Sequence, residues 1–457
     1  MEIKIKPQIF KAYDIRGIYP TFLDEKTAYF VGKAFVKFLK KKKPKIVIGR
    51  DNRLSSDSLF KALSLGVVEE GGDVFDIGLS TTPMLYFALA YFKFDGGINI
   101  TASHNPKEYN GFKLAKKNAL PVKGKELLKI VEKLSAQKDL KKKENKGKIF
   151  KKEVLNEYLD FNLKDFDLKK FLPFKIAIDS GNAVAGILVE KLSQKTPFKI
   201  FHLFKKLDGS FPNHPPDPLV EKNLKFLKQE IKKRKANLGV AFDGDGDRIV
   251  FLDEKGKVIF GDLILALISK YLLKENPGKK ILYDLRCSKV VKETILENGG
   301  KPIESRVGHS FIKEKMRKEK IFFGGEFSGH FYHQKHYFCE APLFVFLKLL
   351  EILSKEKKPL SKLILPFKKY FHSGEINFKI KEKEALMEKL EKKYKRGKKS
   401  HLDGLKIEFK DWWFLVRPSQ TEPLLRLIIE AKSKALLKEK KKEIISLIKS
   451  FSRKDKI

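Results

Sequence analysis

A strand, a polar turn and a helix recur three times along the chain, and no other feature constrains the fold as strongly. Apolar strand-like segments with polar turns cover residues 45–51, 175–181 and 280–286. Each leads into a helical stretch and then into two more strand-like segments, the last of which are 97–100, 238–242 and 321–323. Because apolar strands that alternate with helices are typical of parallel sheets covered on both faces, each unit is predicted to be an α/β domain.

The C-terminal part departs from this repeat. Lys-rich helical sequence is followed there by strand-like segments at 405–409, 412–416 and 425–430, and then by a Lys-rich helix. With 457 residues the chain is also too long for a single core. We therefore predict three similar α/β domains with mixed, largely parallel sheets and a C-terminal α+β domain, arranged around a central cleft. The predicted domains are residues 1–152, 153–257, 258–370 and 371–457.

Composition narrows the class of protein. No run of eighteen apolar residues occurs, and the N-terminal sequence MEIKIKPQIF has no signal-peptide core. Two cysteines, Cys287 and Cys339, cannot form a disulfide framework and lack zinc-site spacing, so both are expected to pack in a core. We expect a cytoplasmic protein that does not contact membranes.

The formal net charge of +40 raises the possibility of nucleic-acid binding. The lysines are spread through every region, lack interleaved aromatic residues and are mixed with 57 acidic residues. That distribution is typical of solvated surfaces, so we expect no specific nucleic-acid partner. A basic surface instead favours anionic small molecules.

The most specific motif is DGDGDR at residues 243–248, directly after a strand-like segment. Three alternate carboxylates, Asp243, Asp245 and Asp247, converge only in a tight loop, and a hard divalent cation stabilises such a loop best. An EF-hand is disfavoured because Arg248 replaces the turn glycine and the flanking sequence is strand-like. A solvated acidic turn without a metal remains an alternative. We expect the loop to face solvent, with Arg248 contacting an anion.

Further polar loops follow the third strands of the other two units. They are TASHNP at 101–106 and GEFSGH at 325–330, while RPSQTEP at 417–423 lies between two C-terminal strands. Because α/β proteins bind ligands at the carboxyl ends of parallel strands, these loops are predicted to line one cleft.

Together these motifs resemble those of the α-D-phosphohexomutases, specifically the bacterial and archaeal phosphomannomutase/phosphoglucomutase group. The resemblance covers essentially the whole chain. Its motifs are YDIRG at 13–17, GRD at 49–51, TASHNP at 101–106, YNGFK at 109–113, NHPPDP at 213–218, DGDGDR at 243–248, VGHS at 307–310, GEFSGH at 325–330 and RPSQTEP at 417–423.

The resemblance implies roles for individual residues. Ser103 resembles the phosphoryl-carrying serine, whose hydroxyl is expected to be exposed at a strand end, and Asp243, Asp245 and Asp247 would hold Mg²⁺ with it. The residues expected to orient the phosphoryl group and handle protons are Arg16, Lys113 and His330. Glu326 and Ser328, in a loop expected to be exposed, resemble the pair that binds the sugar 3- and 4-hydroxyls. The remaining substrate-binding candidates are Tyr13, His104, Arg248, Arg286, Gly308, His309, Arg417, Ser419, Gln420 and Thr421.

The implied reaction interconverts hexose 1-phosphate and hexose 6-phosphate of mannose and/or glucose. It passes through a phosphoserine enzyme and a hexose 1,6-bisphosphate, so glucose or mannose 1,6-bisphosphate is the expected activator. We expect a monomer or homodimer.

Departures from the family pattern lie at Gln420, at Arg286 and at residues 338–342. Phosphoglucosamine mutase is the alternative, against which Gly246 and Phe327 argue. A non-catalytic sugar-phosphate-binding protein would leave Ser103 and the three aspartates unexplained.

Overall fold

Four β-sheets organise the protein, and we call the regions around them domains I to IV. The computed structural model describes residues 5–137, 145–419 and 424–454. Fourteen α-helices and twenty-three strands are assigned within these ranges. The fold class predicted from the sequence is confirmed.

Domain I contains a seven-stranded sheet in the order β1-β5-β4-β2-β3-β7, with β6 paired to β5. Its elements are β1 (Ile15–Ile18), α1 (Glu25–Phe38), β2 (Lys45–Arg50), α2 (Ser56–Glu69), β3 (Asp73–Leu79), α3 (Thr82–Tyr91), β4 (Gly96–Ile100), β5 (Tyr109–Lys116), β6 (Leu120–Val122), α4 (Gly124–Ser135) and β7 (Ile149–Lys151).

Domain II contains a five-stranded sheet in the order β12-β11-β10-β8-β9. Its elements are α5 (Leu155–Leu163), β8 (Lys175–Asp179), α6 (Ala185–Lys195), β9 (Lys199–Leu203), α7 (Lys225–Arg234), β10 (Leu238–Phe242), β11 (Ile249–Leu252) and β12 (Val258–Ile259).

Domain III contains a five-stranded sheet in the order β14-β13-β15-β16-β17. Its elements are α8 (Gly261–Glu275), β13 (Lys280–Asp284), α9 (Lys289–Glu297), β14 (Lys301–Ser305), α10 (His309–Lys318), β15 (Phe323–Gly325), β16 (Phe331–His333), β17 (Cys339–Glu340), α11 (Pro342–Glu356) and α12 (Leu360–Ile364).

Domain IV contains an antiparallel sheet in the order β18-β23-β22-β21-β20, with β19 paired to β23. Its elements are β18 (Phe371–His372), β19 (Ile376–Phe378), α13 (Lys383–Lys393), β20 (Lys398–Ser400), β21 (Leu405–Glu408), β22 (Trp412–Pro418), β23 (Leu425–Ala431) and α14 (Lys434–Lys454).

The predicted repeat is present in all three α/β domains. In each, three parallel strands lie in the order second, first, third, and an antiparallel strand then extends the sheet beside the third. The third strand of domain III begins at Phe323, two residues later than expected, because residues 323–325 are the ones that pair with β13. Each polar loop therefore follows the third strand of its domain, at the equivalent edge of each of the three sheets.

Domains I to III share a large hydrophobic core, and each of them also has a core cluster of its own. Residues Thr82–Ala90 of α3 are all buried, and this helix belongs to the same core cluster as α8 and α11 of domain III. Domain IV has its own core. A small cluster, formed by Leu285 with Trp413, Leu415 and Ile428, joins domain IV to domain III.

Both cysteines are free and buried, as expected for core residues. Within the described ranges, no helix is long and apolar enough to span a membrane.

Two buried histidines in domain III are expected to make stability depend on pH. His336 Nε2 lies 3.0 Å from Asn162 Oδ1, and its Nδ1 lies 3.3 Å from His333 Nδ1. Burial, reinforced by Lys335 and Lys164, lowers the pKa of His336 to about 3, below the value of about 6.5 for an unfolded histidine. Its neutral form therefore contributes stability above pH 6.5 that is lost progressively as the pH falls toward 3.

We predict that acidification from pH 7 to pH 5 costs about 2 kcal/mol of stability through His336 alone. Urea unfolding at both pH values should therefore show a smaller acid-induced loss for His336→Gln than for the wild type. His401→Gln, at an exposed histidine, is the control and should behave like the wild type. Equal losses in His336→Gln and the wild type would contradict the assignment.

Candidate active site

The DGDGDR loop connects β10 to β11 and holds its three aspartates in the interior of the protein. Asp243 and Asp245 are 0% exposed and Asp247 is 1% exposed. One carboxylate oxygen from each lies within 4.8 Å of the others. The predicted convergence is confirmed, but the expectation that the loop faces solvent is wrong. Domain I and domain III cover the loop, through Lys113 and His330 respectively.

Glycine is needed at each of the two glycine positions of the loop for a different structural reason. A Cβ atom on Gly244 would lie 2.2 Å from the Ser103 carbonyl oxygen, so only glycine allows this close approach between domains I and II. Gly246 has φ = +66°, a conformation that side chains disfavour.

Lys113 compensates much of the acidic charge. Its Nζ lies 2.7 Å from Asp245 Oδ2 and 2.5 Å from Asp247 Oδ2. Burial acts to lower the pKa of Lys113, yet Asp245 and Asp247 raise it above the usual value. The ammonium of Lys113 therefore stays protonated at neutral pH.

The aspartates themselves differ in pKa. Burial, followed by the charges of Asp247 and Asp245, raises the pKa of Asp243 to about 8. Burial acts in the same direction on Asp247, but Lys113 and His330 hold its pKa well below the usual range. The backbone N–H groups of Asp247 and Arg248 donate to Asp243 Oδ1, each at 3.1 Å.

The donor set fits a hard divalent cation. Three carboxylates in a loop supply the oxygen ligands that Mg²⁺ prefers. Asp245 Oδ1 is buried and accepts no hydrogen bond from any described residue, so a ligand position is available there. Glu254, the residue that an EF-hand would require, bonds to the Ser361 backbone N–H at 3.2 Å instead.

Ser103 lies against this loop. Its Oγ donates to Asp243 Oδ2 at 2.7 Å, and its N–H donates to Thr101 Oγ1 at 2.9 Å. Its φ of +53° lies in the left-handed region, which is strained for serine. The expectation of an exposed hydroxyl is wrong, because Ser103 is 2% exposed and faces the aspartate loop of domain II.

Arg53 organises the serine loop, a role that sequence reasoning missed. Its guanidinium donates to the carbonyl oxygens of Ser103 and Asn105 at 2.7 Å each, and also to those of Pro106 and Tyr109. The available signal was its place just after β2, at the same sheet edge as the serine loop.

The GEFSGH loop presents a connected set of polar side chains. Arg286 NH2 lies 3.2 Å from Glu326 Oε2 and 3.4 Å from Ser328 Oγ, while Ser328 Oγ lies 3.1 Å from His330 Nδ1. Glu326 and Ser328 are 2% and 5% exposed, so the expectation of an exposed loop is wrong. Their contacts with Arg286 and His330 enclose them in the cleft.

Electrostatics fixes the protonation states in this loop. Burial acts to lower the pKa of His330, but Asp247 and Glu326 raise it to about 9. Burial acts to raise the pKa of Glu326, but His330 and Arg286 lower it to about 2. His330 is therefore cationic at neutral pH and bridges the aspartate loop, at 3.2 Å, to Glu326, at 3.3 Å.

Asp284 is a second residue that sequence reasoning missed. It ends β13 and holds Arg286 through two hydrogen bonds of 3.0 and 2.8 Å. It also accepts the Phe327 N–H at 3.0 Å, which fixes the backbone of the GEFSGH loop. Its position directly at a strand end was the signal in the sequence.

The remaining predicted residues of domains I and III lie around the serine loop and at the contact between the two domains. Within domain I, Arg16 Nη1 donates to Asn105 Oδ1 at 2.7 Å, and His104 Nδ1 lies 3.3 Å from Ser103 Oγ. Tyr13 packs against His309, with ring centroids 5.7 Å apart. Gly308 touches the Tyr13 ring so closely that a Cβ atom would lie 2.7 Å from Tyr13 Oη.

Domain IV contributes Arg417 from β22. This side chain is buried, with NH2 3.4 Å from Glu375 Oε2 and NH1 3.9 Å from Asp403 Oδ2. Burial, followed by the charge of Arg286, lowers its pKa. The Ser419 N–H donates to the Leu424 carbonyl at 2.8 Å. Gln420 and Thr421 lie outside the described residues.

A buried ion pair lies next to His309, one of the substrate-binding candidates. Lys313 Nζ lies 2.9 Å from Glu340 Oε1, and both side chains are fully buried. His309 Nδ1 lies 3.6 Å from the same carboxylate oxygen. Glu340 belongs to the segment where the sequence departs from the family pattern, and the structure gives it a positioning contact.

Comparison with known proteins identifies the family. Models for the phosphoglucomutase/phosphomannomutase domains match in order: alpha/beta/alpha domain I over residues 7–141, domain II over 156–256, domain III over 260–370 and the C-terminal domain over 375–447. The chain belongs to the phosphoglucomutase/phosphomannomutase family.

Individual relatives of this phosphohexomutase match over nearly their full length. It is 42% identical to a phosphomannomutase of Methanocaldococcus jannaschii, covering 96% of this chain and 97% of that protein. It is 39% identical to a phosphomannomutase of Vibrio cholerae, covering 97% and 98%. A crystal structure of a family member from Burkholderia thailandensis aligns with a TM-score of 0.89, 33% identity and 98% coverage of both chains.

We predict that the Lys313–Glu340 pair stabilises this phosphohexomutase fold strongly. Glu340→Ala leaves a buried ammonium without its partner and should cost about 3–5 kcal/mol, measured by urea unfolding. Asp165→Ala breaks a more exposed pair with Lys335 and should cost under about 1 kcal/mol. Lys313→Met combined with Glu340→Leu should recover most of the loss, and a double variant no better than Glu340→Ala would contradict this account.

Proposed function

We propose that this protein interconverts hexose 1-phosphates and hexose 6-phosphates, with mannose and/or glucose as the sugar. The observation that carries the proposal is the Ser103 hydroxyl, which lies 2.7 Å from Asp243 within the cluster of buried carboxylates. A nucleophilic oxygen beside a cation site and several fixed cations suits phosphoryl transfer, which depends mainly on positioning and charge stabilisation.

The proposed reaction has two transfers. Phospho-Ser103 loses its phosphoryl group as the Oγ–P bond breaks and a bond forms to the free sugar hydroxyl, which gives a hexose 1,6-bisphosphate. The sugar hydroxyl loses a proton and Ser103 Oγ gains one. The bisphosphate then turns around, and its other phosphate returns to Ser103. We propose glucose or mannose 1,6-bisphosphate as the activator that phosphorylates Ser103 initially.

We assign the charge-stabilising roles to the cations around Ser103. Asp243, Asp245 and Asp247, with Ser103, form the proposed Mg²⁺ site, and the bound ion would offset charge on the transferring phosphoryl group. Lys113 and His330 both carry a proton at neutral pH, so we propose them as charge clamps and proton donors. Arg16, which orients the serine loop through Asn105, is the proposed phosphoryl-orienting group.

The remaining residues are proposed to hold the substrate in either orientation. Glu326 and Ser328 would bind the 3- and 4-hydroxyls, next to Arg286. Asp403, Arg306, Glu326 and Arg417 all act electrostatically on the Tyr13 phenol, which supports a site shared by domains I, III and IV. The other proposed substrate contacts are His104, Arg248, Gly308 and His309, with Arg417, Ser419, Gln420 and Thr421 for the phosphate that is not transferred.

Phe327 bears on the alternative, phosphoglucosamine mutase. Its ring stacks between Phe260 and His372, with centroids 5.2 and 4.8 Å away. A polar residue in its place would lose this apolar packing, so the loop suits hydroxyl recognition by Glu326 and Ser328 rather than amide recognition at position 327.

A cytoplasmic location and a monomeric or homodimeric state are also proposed. Cell fractionation tests the location, and light scattering tests the oligomeric state.

We predict that Ser103 carries the phosphoryl group. After incubation with glucose 1,6-bisphosphate and Mg²⁺, intact-mass measurement and peptide mapping should place one phosphate on Ser103. Ser103→Ala should lose this phosphate and at least about 10³-fold in mutase turnover, whereas Ser193→Ala, at an exposed serine, should retain both. EDTA should abolish turnover and Mg²⁺ should restore it. Full activity of Ser103→Ala with the bisphosphate present would refute the covalent role.

We predict that Glu326 contributes similarly to both hexoses. Because a vicinal diol at positions 3 and 4 is identical in glucose and mannose, Glu326→Ala should cost about 2–4 kcal/mol in kcat/KM for each sugar phosphate. Glu190→Ala, at an exposed carboxylate, is the control. Selective loss of mannose activity would mean that this loop reads C2, and rapid turnover of glucosamine 1-phosphate by the wild type would favour the alternative enzyme.

A further inference from the structure

A cavity of about 270 Å³ lies between domain III and domain IV, outside the set of residues that form the candidate active site. Domain III supplies Lys289 and Lys292 from the beginning of α9. Domain IV supplies Lys398 and Lys399 from β20 and Lys406 from β21. The two sides of the cavity therefore belong to different domains, and lysines line both.

The cavity has an excess of positive charge. Five of its twelve lining residues are lysine, about twice the share of Lys plus Arg in the whole chain, which is 97 of 457. Two lining glutamates, Glu304 and Glu408, offset part of this charge. Lys406 is held 2.6 Å from Glu304 and lies 4.6 Å from the centre of the Trp413 ring. The lining of the cavity is therefore richer in lysine than the chain as a whole.

The backbone at the beginning of α9 supplies no free donors. The Ser288 N–H donates to Asp262 at 2.9 Å, and the Lys289 N–H donates to Glu430 at 3.0 Å. These two carboxyl groups already occupy the end of the helix that favours negative charge. Direct ligation must therefore come from the lysine ammonium groups, which can turn toward a bound anion.

We propose that this cavity binds a small phosphate-type polyanion. Pockets for drug-sized ligands typically enclose about 300–1,000 Å³, so a cavity just below that range suits a group of one or two phosphates better than a nucleotide. Lys292 and Lys398, which are both exposed and lie on opposite walls, are the principal ligands. The anion offsets the repulsion between the two lysine-bearing walls and thereby links domain III to domain IV.

Two of the segments that line the cavity, β22 and the turn after β13, also carry substrate-binding candidates. Trp413 and Arg417 lie on the same face of β22, about 13 Å apart along the strand. Cys287 and Ser288 follow Arg286 directly in the chain. An anion that fixes β22 against this loop also fixes Arg417 relative to Arg286.

Calorimetric titration with inorganic pyrophosphate tests the proposal. The buffer should lack divalent cations and contain about 0.15 M salt, which limits the screening length to about 8 Å and suppresses general attraction by the net charge. We expect the wild type to bind pyrophosphate at this cavity as well as through Arg417 in the cleft. Arg417→Gln should keep the cavity event.

Lys292→Gln combined with Lys398→Gln should weaken the cavity event by about tenfold or more, because two charged contacts are removed. Lys355→Gln combined with Lys358→Gln makes the same change of net charge at exposed positions and should leave both events unchanged. Circular dichroism should be identical for all variants. Equal affinity in the Lys292/Lys398 variant and the wild type, or equal weakening in both double variants, would overturn the proposal.

Discussion

The architecture depends on the way in which the charge of three buried aspartates is compensated. Asp243, Asp245 and Asp247 cannot share a water-excluded loop as anions without nearby positive charge. Lys113 of domain I contacts Asp245 and Asp247, and His330 of domain III contacts Asp247, so the acidic loop of domain II holds both neighbouring domains. The packing of the three domains around this loop and the ionisation of its residues are therefore parts of one electrostatic arrangement.

The repeat and its strand-end loops could be predicted because apolar periodicity and glycine-rich turns are local properties. The aspartates were found by their spacing directly after a strand, and Ser103 was found by its resemblance to the phosphoryl-carrying serine of the family. Their burial could not be predicted, since it results from domains that pack against each other over long sequence separations. Arg53, Asp284 and Glu340 were missed for the same reason: each acts by holding a partner, and only the fold reveals which one.

Net charge was the least informative feature of the sequence. A lysine has a specific role only where the fold places it against particular partners. Most lysines lie on solvated surfaces, whereas Lys113 and Lys313 are fully buried and each faces carboxylates. The former serves the aspartate loop and the latter supports His309 through Glu340. A net charge of +40 therefore says little about these two positions, which differ from most other lysines in burial rather than in residue type.

The continuous core that passes through α3 has a consequence for folding. Because Met84 to Ala90 pack in the same cluster as residues of domains II and III, the side of domain I that contains α3 is buried only by its neighbours. The three domains should behave as one cooperative unit, so that local opening in any of them propagates to the others. Domain IV has its own interior and a small apolar junction with domain III, so we expect it to open as a separate unit while Ser103 and the three aspartates stay assembled.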